Sequence, residues 1–223
     1  MSGFDKLARP YQWMEYLSFG RTLERCRLHF LAEVQHASSA LVLGDGDGRF
    51  TAALLRTAPT AHATAVDFSE AMLRTLCSRC ERAGAGRRIT MLHADLRYGL
   101  PRETPAYPFD LVATHFFLDC LTDAEVDSIV RDVTQQITGD AQWLISEFDL
   151  PERGAIRLLS SIVVRVLYLA FHILTGLTSR RMPQYREAML RHGWRPKLKA
   201  ARLGGLLVSE LWLAPECKRS CKS

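Results

Sequence analysis

Short apolar runs of strand-like composition alternate with helix-period segments along most of the chain. Five of these runs lie at residues 40–44, 63–67, 89–93, 110–114 and 142–148. Strands that alternate with helices need right-handed crossovers and assemble into a mainly parallel sheet. The runs are continuously apolar, which is typical of strands covered by helices on both faces. We therefore predict an α/β fold with a Rossmann-like, mainly parallel sheet.

The end of the chain has a different pattern. In the stretch RPKLKAA, the charged residues Arg195, Lys197 and Lys199 alternate, which predicts that all three side chains share one face. Pro196 cannot donate to a ladder, so the stretch is typical of an edge strand. Two glycines join it to a further apolar run at 206–213, which predicts an antiparallel C-terminal hairpin and seven strands in total. This order of elements resembles that of class I methyltransferases.

Composition favours an ordinary globular protein. The chain has 223 residues, is 48% hydrophobic and carries a net charge of +5, and it contains no internal repeat or low-complexity linker. Six cysteines are too few for a disulfide scaffold, and the start of the chain lacks the pattern of a secretory signal, so we expect a cytoplasmic protein. Cys77 and Cys80, with Cys217 and Cys221, could ligate zinc. We interpret them as ordinary cysteines and predict no metal site.

The first strand leads into the loop GDGDGRF and then into a helical stretch. The loop glycines are Gly44, Gly46 and Gly48. Such glycines permit a tight turn and let a ligand approach backbone N–H groups near a helix N-terminus. A dinucleotide fingerprint would place its last glycine at Arg49, whereas this G-x-G-x-G pattern resembles motif I of S-adenosylmethionine (SAM)-dependent methyltransferases. Asp45 and Asp47 would repel a pyrophosphate but tolerate a cation. A plain turn is the alternative.

Polar groups follow the next strands at the same sheet edge, where parallel strands end. Asp67 could accept hydrogen bonds from a ribose diol, and the alternative role of helix cap suits Ser69 better. Asp95 could accept from an adenine amino group. The resemblance implies a SAM site formed by Gly44, Asp45, Gly46, Gly48, Asp67, Phe68, Met72, Ala94, Asp95, Leu96 and His115.

One position departs from motif I. The usual acid two residues before the first glycine is replaced by Val42. Either another group, such as Asp45, meets the ammonium of SAM, or SAM binds more weakly. Aminopropyltransferases have a similar loop, but the acid-rich polyamine pocket that they carry is not found in this sequence.

The opening residues resemble those of the ubiquinone/menaquinone-biosynthesis methyltransferases. The matching positions are Phe4, Asp5, Ala8, Tyr11, Leu17, Ser18, Phe19, Gly20 and Arg25, with further similarity in ISEFDLP and RRMPQYREAMLRHGW. The resemblance implies an N-terminal helical lid at 1–36 over a methyltransferase domain at 37–223. Two features depart from the family: Gln12 replaces an aspartate, and TGDA replaces the turn before strand five. Two packing helices are the alternative interpretation of the opening.

Residues 155–177 form a long apolar stretch. Their polar residues recur at intervals of three and four, which predicts one narrow polar stripe on an amphipathic helix rather than a membrane span. The resemblance implies that an insertion at 155–194 covers the acceptor. The predicted acceptor pocket consists of Tyr11, Phe116, Ile162, Leu169 and Ile173. Plain packing on the sheet is the alternative, and contact with an anionic membrane is a third possibility, since residues 178–202 contain eight basic side chains and one acid.

Together these features predict a SAM-dependent methyltransferase with a small, lipophilic acceptor, such as a quinol, phenol or lipid. His115 and Asp119 follow the fourth strand and are the candidate bases. A structural hydrogen-bonding role is the alternative for His115. A degenerate, non-catalytic SAM-binding or membrane-associated protein of the same fold is the alternative function. Nucleic acid is not an expected partner, because no basic groove with interleaved aromatic residues is evident.

Overall fold

A computed structural model describes residues 21–149 and 184–216. Their centre is a seven-stranded sheet of order β3-β2-β1-β4-β5-β7-β6, in which only β7 runs antiparallel to its neighbours. The strands are β1 (Ser39–Leu43), β2 (His62–Asp67), β3 (Ile89–His93), β4 (Phe109–His115), β5 (Ile137–Phe148), β6 (Arg195–Arg202) and β7 (Leu207–Leu213). The predicted fold class, a Rossmann-like sheet with a C-terminal hairpin, is confirmed.

Helices cover both faces of the sheet. They are α1 (Arg21–Arg27), α2 (Arg49–Thr57), α3 (Glu70–Arg82), α4 (Asp123–Thr134) and α5 (Tyr185–Arg191). Along β1, Val42 packs in the cluster that includes α2 and α3, whereas its neighbour Leu41 packs in the cluster that includes α4 and α5. Successive side chains of one strand thus enter different cores, which explains why the strands are apolar without alternation.

The helix starts follow from local sequence. The Ser69 hydroxyl accepts a hydrogen bond from the backbone N–H of Met72 at 3.3 Å and caps α3, as predicted. Thr122 and Glu125 form a reciprocal capping box at the start of α4. Both caps follow a strand end, so they fix where the chain turns away from the sheet edge that carries the candidate site.

The predicted alternation of charges in β6 is wrong. A bulge lies between Pro196 and Leu198, so that Arg195 lies opposite Leu213 while Lys199 lies opposite Glu210. These two partners are three positions apart on a regular strand, and Arg195 and Lys199 therefore face opposite sides of the sheet. The prediction of an edge strand is confirmed, since β6 ends the strand order and pairs with β7 alone among the strands within 21–149 and 184–216.

Strand β5 begins five residues before the predicted start at residue 142. The sequence TGDA, which resembles a turn, lies inside the strand and coincides with a register shift, in which Phe109 pairs with Ile137 and Leu111 with Gln142. The glycine and the aspartate therefore mark an irregularity in a continuous strand.

The described part of the N-terminal segment packs into the protein. Leu23 and Cys26 of α1 are buried with Leu207 of β7, and Val34 joins the core on the α2 side. None of the helices within 21–149 and 184–216 has the length and apolar character that crossing a bilayer requires. The predicted helix at 155–177 lies outside the described residues.

Candidate functional site

The glycine loop that links β1 to α2 uses its three glycines differently. All three have positive φ, between 59° and 77°. A Cβ at Gly44 would lie 2.5 Å from the ring of Phe117, and one at Gly48 would lie 2.5 Å from Leu76. At Gly46 the nearest atom would be the sulfur of Met72, at 3.9 Å. Gly44 and Gly48 are thus required by packing, whereas Gly46 faces open space.

Asp67 at the end of β2 fixes this loop. Its Oδ2 accepts a hydrogen bond from the backbone N–H of Gly46 at 3.2 Å, and its Oδ1 accepts one from Ser69 at 2.9 Å. The side chain is only 8% exposed, and burial raises its pKa to about 6. The carboxyl group therefore lies beside the open side of Gly46, with lone pairs remaining for a ligand diol.

Asp45, which the sequence suggested for the SAM ammonium, already has hydrogen-bond partners within the chain. Its carboxylate accepts hydrogen bonds from the backbone N–H groups of Phe50 and Thr51, at 3.4 and 2.9 Å, and from the Thr51 hydroxyl. It thereby caps the start of α2. Val42, two residues before the first glycine, is fully buried in the core. Asp47, the other acid of the loop, pairs with Arg49 and Arg79.

The end of β3 lies next to Asp67. The backbone N–H of Ala94 donates to the Asp67 carbonyl at 3.1 Å, and Leu96 is buried beneath it. Asp95 caps the following turn and pairs with Arg97, whose Nε lies 3.0 Å from both carboxylate oxygens. This ion pair lowers the pKa of Asp95. An adenine amino group would have to share Asp95 with Arg97.

His115 ends β4 and is enclosed by protein. Its ring lies 4.4 Å from that of Phe50, and neither ring nitrogen has a hydrogen-bond partner among the described residues. Burial, and secondarily the charge of Arg27, lower its pKa well below the ordinary value. A base with so low a pKa takes up a proton reluctantly at neutral pH, so His115 is poorly suited to that role.

Asp119 lies beside Glu147, a residue that the sequence reasoning did not assign to the site. Oε1 of Glu147 accepts hydrogen bonds from the backbone N–H groups of Phe117 and Leu118, at 3.1 and 2.8 Å. Its Oε2 is buried and has no hydrogen-bond partner in the described part of the chain. Burial raises the pKa of Asp119 to about 6, and burial together with the Asp119 charge raises the pKa of Glu147 well above its ordinary value. The sequence signal that could have revealed Glu147 as a site residue is its place as a charged residue near the end of an otherwise apolar strand.

Two aromatic rings lie where β4 and β5 end and pack with Leu23, Cys26 and Leu207. The Phe116 ring lies 5.2 Å from that of Phe148. Phe116 has φ of 54°, a left-handed conformation that is unusual for an aromatic residue, and its N–H donates to the Ser146 carbonyl at 2.7 Å. Phe116, one of the residues of the predicted acceptor pocket, therefore lies at the same sheet edge as the glycine loop. The other members, Tyr11, Ile162, Leu169 and Ile173, lie outside the described residues.

Most basic residues of the described C-terminal stretch pair with acids. Arg186 contacts Asp149 and Glu210, Arg191 contacts Asp127, and Arg195 contacts Glu216. Nζ of Lys199 lies 3.6 Å from Glu210. Much of the basic charge that suggested membrane contact therefore stabilises the fold, and membrane contact stays a prediction.

Cys77 and Cys80 lie on α3, where Cys80 is buried in the core and Cys77 contacts Glu81. The residues that the structure describes contain no group of side chains arranged to hold a metal ion. Cys217 and Cys221 lie outside them.

The residues at this sheet edge fit SAM in two respects. The open side of Gly46 offers a cradle that a Cβ would fill, and Asp67 stands beside it for a ribose diol. Asp67 and Asp119, each with a pKa of about 6, can supply negative charge at this edge, which suits the sulfonium and ammonium groups of SAM. The fold and the glycine loop together resemble those of the class I SAM-dependent methyltransferases, a class in which SAM is the methyl donor.

Comparisons with known proteins agree with this class. Residues 40–138 match the family described as "Methyltransferase domain". Comparison with curated proteins gives no match. The match to the methyltransferase family covers β1 to the start of β5, including the glycine loop, Asp67, Asp95 and Asp119.

Solved structures with the same fold include several O-methyltransferases. Mitomycin 7-O-methyltransferase MmcR is 18% identical, with a TM-score of 0.67 over 96% of this chain and 61% of that chain. An O-methyltransferase family protein from Burkholderia thailandensis is 15% identical, with a TM-score of 0.66 over 96% of this chain and 59% of that one. An O-methyltransferase family 2 protein from Planctomyces limnophilus, in complex with apigenin, is 18% identical, with a TM-score of 0.60 over 78% and 50%. At these identities the likeness concerns the fold, and this chain spans less than two thirds of each of these proteins.

Proposed function

We propose that this protein transfers a methyl group from SAM to a hydroxyl group of a small, largely apolar acceptor. The observation that carries the proposal is a pair of neighbouring carboxyl groups, half-buried Asp119 in the turn after β4 and buried Glu147 near the end of β5, at the sheet edge of the glycine loop. A hydroxyl group must lose its proton to become a good nucleophile, and a carboxylate whose pKa lies near 6 is a suitable base.

In this mechanism each residue has a separate task. SAM, when bound, supplies an electrophilic methyl group. Asp67 and the backbone at Gly46 hold the nucleoside end. Asp119 accepts the proton of the acceptor hydroxyl as the oxygen attacks the methyl group. Glu147 holds the turn that carries Asp119 through hydrogen bonds from Phe117 and Leu118.

Two observations support a hydroxyl group as the methyl acceptor. Several structures with this fold are O-methyltransferases, and one was solved with apigenin, a flat phenolic compound. In this chain, Phe116 and Phe148 provide an aromatic wall where β4 and β5 end. Flat apolar molecules bind well against such a wall. Quinols and phenols are the proposed acceptor class, and the lipophilic residues predicted at 155–177 would extend the same pocket.

Turnover assays test the proposal. Wild type should form S-adenosylhomocysteine with phenols or quinols in preference to polar amines. Asp119→Asn should lower kcat by about 100-fold or more, the usual scale for loss of a general base, with little change in SAM affinity. Asp140→Asn is the matched control, because Asp140 is exposed near the other end of β5.

Two outcomes would contradict the proposal. Preferential turnover of amines would refute the hydroxyl acceptor. SAM binding without S-adenosylhomocysteine formation from any member of a broad acceptor panel would favour the alternative of a non-catalytic SAM-binding protein.

A further inference from the structure

Arg27 is a buried cation close to the candidate site. It is the last residue of α1 and is only 6% exposed, an unusual position for arginine. Its guanidinium carbon lies 5.8 Å from the centre of the Phe116 ring. The preceding residue is held against the ends of β5 and β7, since the Cys26 thiol contacts the Val208 carbonyl and the Ser146 hydroxyl donates to the Cys26 carbonyl. Arg27 is thus fixed at the sheet edge where the glycine loop lies.

The charge of Arg27 acts on residues of the glycine loop and of β4. Burial raises the pKa of Asp45, and the nearby Arg27 charge opposes that rise. Burial lowers the pKa of His115, and Arg27 lowers it further. The guanidinium, which lies over the ring of Phe116 directly after β4, is thus close enough to act electrostatically on both groups. Arg27 already has interactions within the chain, and its five N–H donors allow a ligand beside them.

The amino-acid end of SAM carries an ammonium and a carboxylate, and the usual contacts for it are absent or occupied in the described part of this chain. Val42 replaces the motif I acid and is buried in the core. The N–H groups of Phe50 and Thr51 at the start of α2 could attract a carboxylate, but they already donate to Asp45. A carboxylate placed over the loop therefore needs another positive partner.

We propose that Arg27 binds the carboxylate of the methionine portion of SAM. The inference rests on the proposed function, because it presumes that SAM occupies the glycine loop. A guanidinium presents a planar fork that matches a carboxylate, and such charge-assisted hydrogen bonds are among the strongest in proteins. Recognition of the carboxylate would compensate for the missing motif I acid and would reject decarboxylated SAM, the donor that aminopropyltransferases use.

Calorimetric titration with SAM and with decarboxylated SAM tests this inference, since the two ligands differ only in the carboxylate. Wild type should bind SAM about tenfold or more tightly than decarboxylated SAM, the scale of a charged hydrogen bond. Arg27→Met should weaken SAM binding about tenfold or more, while its affinity for decarboxylated SAM stays nearly constant. Arg27→Lys should retain part of the preference. Arg25→Met, at an exposed position on the same helix, should behave as wild type.

The ratio of the two affinities within one protein is independent of the fraction that is folded. A wild type that binds both ligands equally would overturn the inference even if every Arg27 variant failed to fold. Arg27→Met with the wild-type ratio would overturn it as well. A wild type that binds neither SAM nor S-adenosylhomocysteine would instead refute the proposed function.

Discussion

At the scale of single residues, the three loop glycines have two different roles. Packing requires Gly44 and Gly48, whereas Gly46 leaves room for a ligand. Gly46→Ala should cost about 1–2 kcal/mol of stability for the left-handed backbone, because no atom blocks the new methyl group. The same methyl group would enter the proposed cradle and should cost about 1–3 kcal/mol of SAM affinity, the scale of overpacking. Chemical denaturation and calorimetry would measure the two effects.

Gly84→Ala is the control for that experiment. Gly84 has φ of 71° and open space where the new methyl group would lie, and it follows the end of α3. Gly84→Ala should therefore lose similar stability and no SAM affinity. Equal SAM affinities for Gly46→Ala and Gly84→Ala would remove Gly46 from the cofactor site.

The carboxyl pair should make activity and stability change in opposite directions with pH. Asp119 must be ionised to act as a base, so kcat/KM should fall as pH falls through about 6, and a pH–rate profile would show this acid limb. Folding raises the pKa of Asp119 from 3.8 to about 6. The stability that this group contributes is therefore present below pH 3.8 and is lost as pH rises through about 6.

Since Asp119 and Glu147 interact, the measured values belong to the pair rather than to either residue. Asp119→Asn should abolish the acid limb in the residual activity and should flatten the dependence of stability on pH in the same range. An unchanged acid limb in Asp119→Asn would assign the titration to another group.

At the scale of elements, Arg186 connects α5 to the C-terminal hairpin. Its Nε donates to buried Glu210 at 2.8 Å and its Nη2 to Asp149 at 2.8 Å. Arg186→Met would leave Glu210 with hydrogen bonds from Tyr185 and Trp212 and with Lys199 at 3.6 Å, and should cost about 1–3 kcal/mol of unfolding free energy. Urea denaturation would measure the loss.

Arg191→Met provides the comparison on the same helix. Arg191 is 57% exposed and pairs with Asp127 on the surface, so its loss should cost less than about 1 kcal/mol. Because both variants replace arginine by methionine in α5, helix propensity cancels. Equal losses would show that burial of Glu210 does not strengthen the Arg186 contact.

The elements themselves were largely predictable, because each parallel strand is a continuous apolar run and caps mark the starts of α3 and α4. Where the sequence misled, a bulge was the cause. Lys197 in β6 and the TGDA stretch in β5 break the regular two-residue period, and such irregularities depend on the partner strand rather than on local composition. Periodicity within one strand cannot reveal them.

At the scale of the whole molecule, the sequence located the sheet edge of the candidate site but not the roles of its residues. Asp67 could be proposed from its spacing after the glycine loop. The capping role of Asp45, the enclosure of His115 and the contact of Asp119 with Glu147 depend on side-chain direction and on distances across strands. Arg27 was missed for the same reason, since its burial arises from packing of α1 on the far end of the chain.

The last prediction concerns the N-terminal segment, for which two truncations should behave differently. Deletion of residues 1–36 removes Leu23 and Val34 from the core, at about 1.5–3 kcal/mol for each side chain, and should severely destabilise the protein. Deletion of residues 1–20 should leave the described sheet folded and able to bind SAM. If those residues form the predicted lid, that shorter deletion should still abolish turnover, because a closed, dry site would be lost. Circular dichroism, calorimetry and S-adenosylhomocysteine assays on both proteins would decide. Full turnover after deletion of 1–20 would refute the lid, and wild-type stability after deletion of 1–36 would refute the structural role of α1.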